Sequence, residues 1–213
     1  MTFQHFWDTY ALMLGKAILT HLGYVFVAVS CGTVVAIILG VLLTRLPKMS
    51  KFIMPVLSVF QTIPGIVFIG ILFIYIGMVP KTVLIALSIY AVFPVLKNTY
   101  AGIINVEDKY REAARGCGMS SWQIMFRVEL PLAMPTIMTG IRMATVYTVS
   151  WAVLAAMIGQ GGLGEFIYRG LGTNNNTLII IGAIPAAIMA VLLGHGIDRL
   201  QKAVTPRGMR KED

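Results

Sequence analysis

From Ala17 to Thr44 the chain carries no Asp, Glu, Lys or Arg. About 20 apolar residues are enough to cross a bilayer as a helix. Inside the bilayer a single segment has little alternative, because every backbone N–H and C=O must be satisfied without water. Four further apolar runs follow, at residues 52–79, 82–102, 136–158 and 177–197. Composition agrees: 57% of residues are hydrophobic and 12% are charged, against about 25% charged in a soluble domain. The expected fold is an all-α membrane protein with five transmembrane helices. A single transmembrane domain is expected over residues 1–213, with a loop at 103–134 and a short N-terminal helix ahead of the first span. In that helix Phe3, Phe6, Trp7, Tyr10 and Leu14 recur at helical spacing. Aromatic residues favour the membrane boundary, so it is expected to lie in the interface; packing against other spans is the second reading.

Proline and glycine punctuate the spans. Pro64-Gly65 is expected to kink or interrupt the second. Pro131 and Pro135 are expected to close the loop, and Pro185 to interrupt the fifth span.

The formal net charge is +8. That balance alone suggests nucleic acid, but the basic residues sit at the ends of apolar runs and not on one face. No nucleotide-binding glycine loop, zinc-ligand spacing or nucleophile–base pair is evident, so no cofactor or metal is expected on this chain. No cleavable signal peptide is expected, the first apolar stretch being too long. Cys31 lies in a span and Cys117 in the loop, which argues against a disulfide between them.

Lys and Arg also orient the chain. With five spans, fourteen of these residues fall on one side, while Lys16, Lys81 and Arg169 fall on the other. The fourteen are expected to be cytoplasmic, which puts the N-terminus outside, the C-terminus inside and the 103–134 loop in the cytoplasm.

That loop has internal structure. Residues from about Val106 through Glu112-Ala113-Ala114 favour helix. Gly116 and Gly118 break it, and Ser120 with Gln123 forms a capping box for a second helix. The small Ala113 and Ala114 allow close approach to a groove. Glu112 is expected to pair with a basic group on a partner or with Arg115.

The order Glu112-Ala113-Ala114, Gly118, Val128, Leu130-Pro131 resembles the cytoplasmic loop of bacterial ABC-importer permeases. Val128 stands where isoleucine is commonest. Further stretches are similar to the permease subunits of osmoprotectant importers, which handle glycine betaine, choline or carnitine. These are Gln61-Thr62-Ile63-Pro64, Asn98-Thr99-Tyr100, Pro131 to Pro135, Gly140-Ile141-Arg142, Gly161-Gly162-Leu163-Gly164 and Thr205-Pro206. Gly65 departs from the serine expected after the Gln-Thr-Ile-Pro run. Methionine importers, whose permeases are similarly short, are the nearest competitor.

The resemblance implies a non-catalytic permease in the bacterial cytoplasmic membrane. Its implied partners are ATPase subunits that carry ATP and Mg, a second identical or related permease, and an external substrate-binding protein. It makes Glu112, Ala113, Ala114, Gly118, Leu130 and Pro131 the residues that dock on the ATPase.

Gln61, Thr62, Pro64, Asn98 and Trp151 are candidates for a translocation path, since intramembrane polar groups usually face the bundle interior; ordinary helix–helix hydrogen bonding is the other reading. Gly161, Gly162 and Gly164 are candidates for docking the binding protein. Tyr75, Tyr90, Tyr147 and Trp151 have the chemistry of a cation–π cage, yet aromatic residues in spans mostly pack or anchor, and nothing in the sequence makes these four converge. A self-contained channel or ion-coupled transporter fits poorly, because the latter usually carries intramembrane acidic residues and the spans lack Asp and Glu except Asp198 at the last boundary.

Overall fold

The computed structural model describes residues 3–205, with side chains from Tyr10 onward. The side chains of Phe3, Phe6 and Trp7, and tail residues Pro206, Arg207, Arg210 and Lys211, lie outside the described residues. Among the described residues every regular element is helical.

Helix α1, Phe3–Arg45, is continuous. The separate N-terminal helix expected from the sequence is therefore the first turns of the first span. Tyr10 and Leu14 pack against the main core, and Tyr10 meets Phe166 edge-on with ring centroids 6.3 Å apart. A single Gly15 costs a helix only about 1 kcal/mol, and this packing outweighs it.

Helix α2, Pro47–Phe60, and α3, Gly65–Ile76, form the second apolar run. They meet at 94°, so the expected kink is a full break. Helix α4, Pro80–Ile104, is the third span. Close glycine contacts set its direction relative to α1. A Cβ on Gly32 would lie 2.7 Å from that of Ala91, and one on Gly40 would lie 2.8 Å from that of Thr99. Matching residues rise together, so α1 and α4 run parallel. The chain between them must therefore return from one end of the bundle to the other, and the bent α2–α3 pair makes that crossing. Among the described residues four helices are long and apolar enough to span a membrane on their own, and the bent pair, counted as one span, brings the number to five.

The loop holds α5, Asp108–Gly116, and α6, Ser121–Ile124. A π-helical turn, Met125–Glu129, leads without a break into α7, Leu130–Ala152. Pro131 and Pro135 thus do not close the segment. A proline ring collides with the carbonyl four residues earlier. The wider π turn lies where Pro131 would meet Arg127, and π turns commonly absorb such an irregularity. The Pro135 carbonyl accepts from the Thr139 hydroxyl at 3.0 Å. Pro185 likewise sits inside an unbroken α9, Asn176–Val204, contrary to the interruption expected there.

Helix α7 runs antiparallel to α4, with Gly102 against Ala133 and Gly140 against Asn98 and Pro94. It runs antiparallel to α9 as well, where Arg142 pairs with Asp198 at 2.9 Å and Gln201 bonds the Pro135 carbonyl. A 3₁₀ turn, Val153–Ile158, ends α7. The glycine-rich connection then forms α8, Gly164–Gly172, which packs on α9. Phe26, Ile38 and Leu192 are exposed on the outer surface of the bundle, as suits helices facing lipid. Cys31 and Cys117 are both free and exposed.

Candidate functional site

Two places gather the residues singled out above. The first is the loop between α4 and α7. Gly118 has φ +75°, and its N–H bonds the Arg115 carbonyl at 2.9 Å. This left-handed turn suits glycine. It leads into Ser120, whose hydroxyl accepts from the Gln123 N–H while the Gln123 amide oxygen accepts from the Ser120 N–H. The capping box read from the sequence is present.

Glu112 and Ala113 are exposed, whereas Ala114 is buried and Leu130 and Pro131 are half-buried. Leu130 packs on Ile103, Met125, Ala133 and Ile137. The motif therefore has two faces. Glu112 and Ala113 point outward, and the Leu-Pro end fixes the loop to the bundle. No ion pair between Glu112 and Arg115 is present among the described residues. Trp122 and Phe126 are exposed and stack with centroids 5.8 Å apart.

Sequence reasoning assigned no role to Glu129, which is 3% exposed. One carboxylate oxygen accepts from Arg45 at 2.8 Å and the other from Arg111 at 2.7 Å. Arg111 also donates to the carbonyls of Val106 and Ile103 and pairs with Asp108. Burial works against the Arg111 charge, but the bonds to Glu129 and Asp108 outweigh it and raise the guanidinium pKa above its usual value. The carboxylate thereby joins the end of α1 and α5 to the turn that leads into α7, and Arg111 ties in the end of α4 through the Ile103 carbonyl. Its helices were visible in the sequence; the burial of one acid among several was not.

The second place is a cavity of about 240 Å³ at the α2–α3 break. Gln61, Tyr90, Pro94, Tyr147, Thr148 and Trp151 line it. Three of the four aromatic residues considered above converge here, which their positions along the chain do not reveal. Tyr75 does not join them and is 83% exposed. The Tyr90 hydroxyl donates to the Ile63 carbonyl at 3.0 Å, satisfying a group that the break frees. Gln61 and Trp151 of the expected path meet in this cavity. Thr62 bonds the Val59 carbonyl within its own turn. Pro64 stands at the start of α3, where its carbonyl accepts from Val67 and Phe68. Asn98 bonds the Pro94 carbonyl and packs beside Gly140.

The glycine-rich connection is more buried than a docking surface requires. Gly162 is buried against His21, and a Cβ on Gly164 would collide with the Val153 carbonyl. Gly161, with φ +72°, is half-buried. His21, fully buried, contacts the Val149 carbonyl through Nε2 at 3.0 Å. Nearby the Tyr24 hydroxyl donates to the Gln160 carbonyl, and the Gln160 amide donates to Met78. The longest run of exposed residues at this end is 171–177, where α8 turns into α9.

Parallel and antiparallel spans around a broken helix, with a structured loop at one end, define a polytopic helical membrane protein. The chain belongs to the family described as "Binding-protein-dependent transport system inner membrane component", which matches residues 32–210. It is 41% identical over 184 residues to the carnitine transport permease protein OpuCB of Listeria monocytogenes, covering 86% of this chain and 84% of that protein. It is 38% identical over 190 residues to the glycine betaine/carnitine/choline transport system permease protein OpuCB of Bacillus subtilis, covering 89% and 88%. An inward-facing structure of the MetNI methionine ABC transporter superposes with a TM-score of 0.83, covering 97% of this chain and 100% of that one. Identity there is 21%, so this likeness concerns the fold.

Proposed function

We propose that this chain is the permease subunit of an ATP-driven importer for osmoprotectants such as glycine betaine, choline or carnitine. The observation that carries the reading is the 41% identity, over most of both chains, to a carnitine permease. A methionine importer is less well supported, because the methionine transporter resembles this chain at 21% identity. In this reading the chain is not an enzyme. ATP and Mg belong to separate ATPase subunits, and an external binding protein delivers the solute to a pair of permeases, identical or related.

Glu112, Ala113 and the Gly118 turn form the face that docks on the ATPase. Ala114, Leu130 and Pro131 hold that face to the bundle. The N-terminus lies outside and the C-terminus inside, as the distribution of Lys and Arg supports. The exposed turn at residues 171–177 then faces the binding protein, with Gly161, Gly162 and Gly164 shaping the backbone beneath it.

The test is uptake of radiolabelled glycine betaine, choline, carnitine and methionine after an osmotic upshift, in cells with the intact transporter set and in cells lacking this chain. Loss of quaternary-amine uptake is expected. Loss of methionine uptake alone, or no loss, overturns the substrate class.

A further inference from the structure

The cavity at the α2–α3 break has a composition that packing alone does not require. Tyr90, Tyr147 and Trp151 surround one space, and no acidic residue lines it. Neither the Gln61 side-chain amide nor the Thr148 hydroxyl has a hydrogen-bond partner among the described residues. Tyr90 and Trp151 also take part in a wider aromatic cluster with Phe68 and Phe93. Tyr147 does not: it is half-exposed and forms no ring pair among the described residues. A tyrosine that packs on no other ring, on the wall of a cavity in the membrane, is poorly explained as core.

Gly65 supplies a second, independent observation. A Cβ there would lie 2.9 Å from Cε3 of Trp151. The indole therefore rests directly on the start of α3, and any larger residue at position 65 displaces it from the cavity wall. The glycine that departs from the Gln-Thr-Ile-Pro-Ser pattern is thus paired with the ring it seats. Gln61 also borders a smaller adjoining space that includes Lys97. Aromatic faces attract cations, and quaternary ammonium groups are recognised in this way. Unbonded amide and hydroxyl groups with a lysine beyond them suit a carboxylate or hydroxyl. The cavity is smaller than the roughly 300–1,000 Å³ typical of drug-sized ligands, so it fits a solute of few heavy atoms.

We propose that this cavity is a substrate subsite within the membrane, taking the quaternary ammonium head against Tyr90, Tyr147 and Trp151 and the polar end at Gln61 and Thr148. The inference rests on the osmoprotectant reading above. The permease then selects its solute a second time after the binding protein has released it.

The experiment uses the complete transporter with its binding protein in proteoliposomes, and reads choline and glycine betaine imported per ATP hydrolysed. Tyr147→Leu is expected to lower that ratio about threefold, the effect of losing one cation–π contact at a half-exposed ring. Tyr147→Phe, which keeps a ring, is expected to lower it less than Tyr147→Leu. Stepwise fluorination of the Trp151 ring, which drains its negative face while keeping its shape, is expected to lower uptake stepwise; this arm decides the matter if Tyr147→Leu fails to assemble. A Tyr147→Leu transporter matching wild type, or uptake indifferent to fluorination, overturns the subsite while quaternary-amine import by wild type stands. A wild-type transporter that imports no quaternary amine overturns the substrate reading and the subsite with it.

Discussion

A carboxylate held between two arginines behaves differently from an ion pair in open water. Glu129 is buried, and each of its oxygens has a guanidinium partner. Removing one member of a buried pair typically costs about 3–5 kcal/mol. Arg45 is 47% exposed on its side chain, so solvent screens that half of the arrangement. Glu129→Gln is therefore expected to cost less, about 2 kcal/mol, read as a lower midpoint of thermal unfolding in detergent. It is also expected to weaken ATP-coupled uptake, because the loop loses its tie to α1. An unchanged midpoint together with unchanged uptake would remove Glu129 from this role. The acid itself was plain in the sequence. Its partners were not, since Arg45 and Arg111 lie 84 and 18 residues away along the chain. Tyr147 and Trp151 pose the same difficulty: their spacing on α7 is visible, but their meeting with Tyr90 depends on how α4 packs.

Elements were legible where the signal was local. The capping box at Ser120 and Gln123 and the break at Pro64-Gly65 depend on neighbouring residues, and both are present. The prolines were misjudged because local chemistry says only that a bond is lost. Whether a helix continues past Pro131, Pro135 or Pro185 depends on what surrounds it. In the loop, Gly118→Asp places a side chain at φ +75°, with no other atom within 4 Å of the new Cβ. The strain is thus in the backbone rather than a clash. The variant is expected to insert normally and to lose ATP-driven uptake as the α5–α6 angle changes; normal uptake would refute the turn's role. Gly164→Ala differs in kind, because its Cβ meets the Val153 backbone. Overpacking of that sort costs about 1–3 kcal/mol, and a lower yield of folded protein in detergent is expected. A Gly164→Ala protein as stable as wild type would show that the 3₁₀ turn can shift freely.

At the scale of the whole molecule, the direction of each span is fixed by contacts, while its orientation in the membrane rests on charge. Cys117 offers a direct check, since it is exposed on the loop. In intact cells making the permease without its ATPase, a membrane-impermeant maleimide is expected to leave Cys117 unlabelled until the membrane is opened. Labelling from outside would invert the orientation. The glycine contacts of α1, α4 and α7 bear on motion as well as direction. At Gly32, Gly40, Gly102 and Gly140 the helices approach so closely that a Cβ would meet the neighbouring helix at 2.7–3.1 Å, against its backbone carbonyls or the stems of its side chains. Such a seam has little play, so the three helices behave as a stiff plate. The slack in the molecule is concentrated at residues 61–64, where no helix carries the load across. In the importer proposed above, a push delivered at the loop is expected to tilt the plate as a unit and to change the angle between α2 and α3, widening or narrowing the space beside Tyr90.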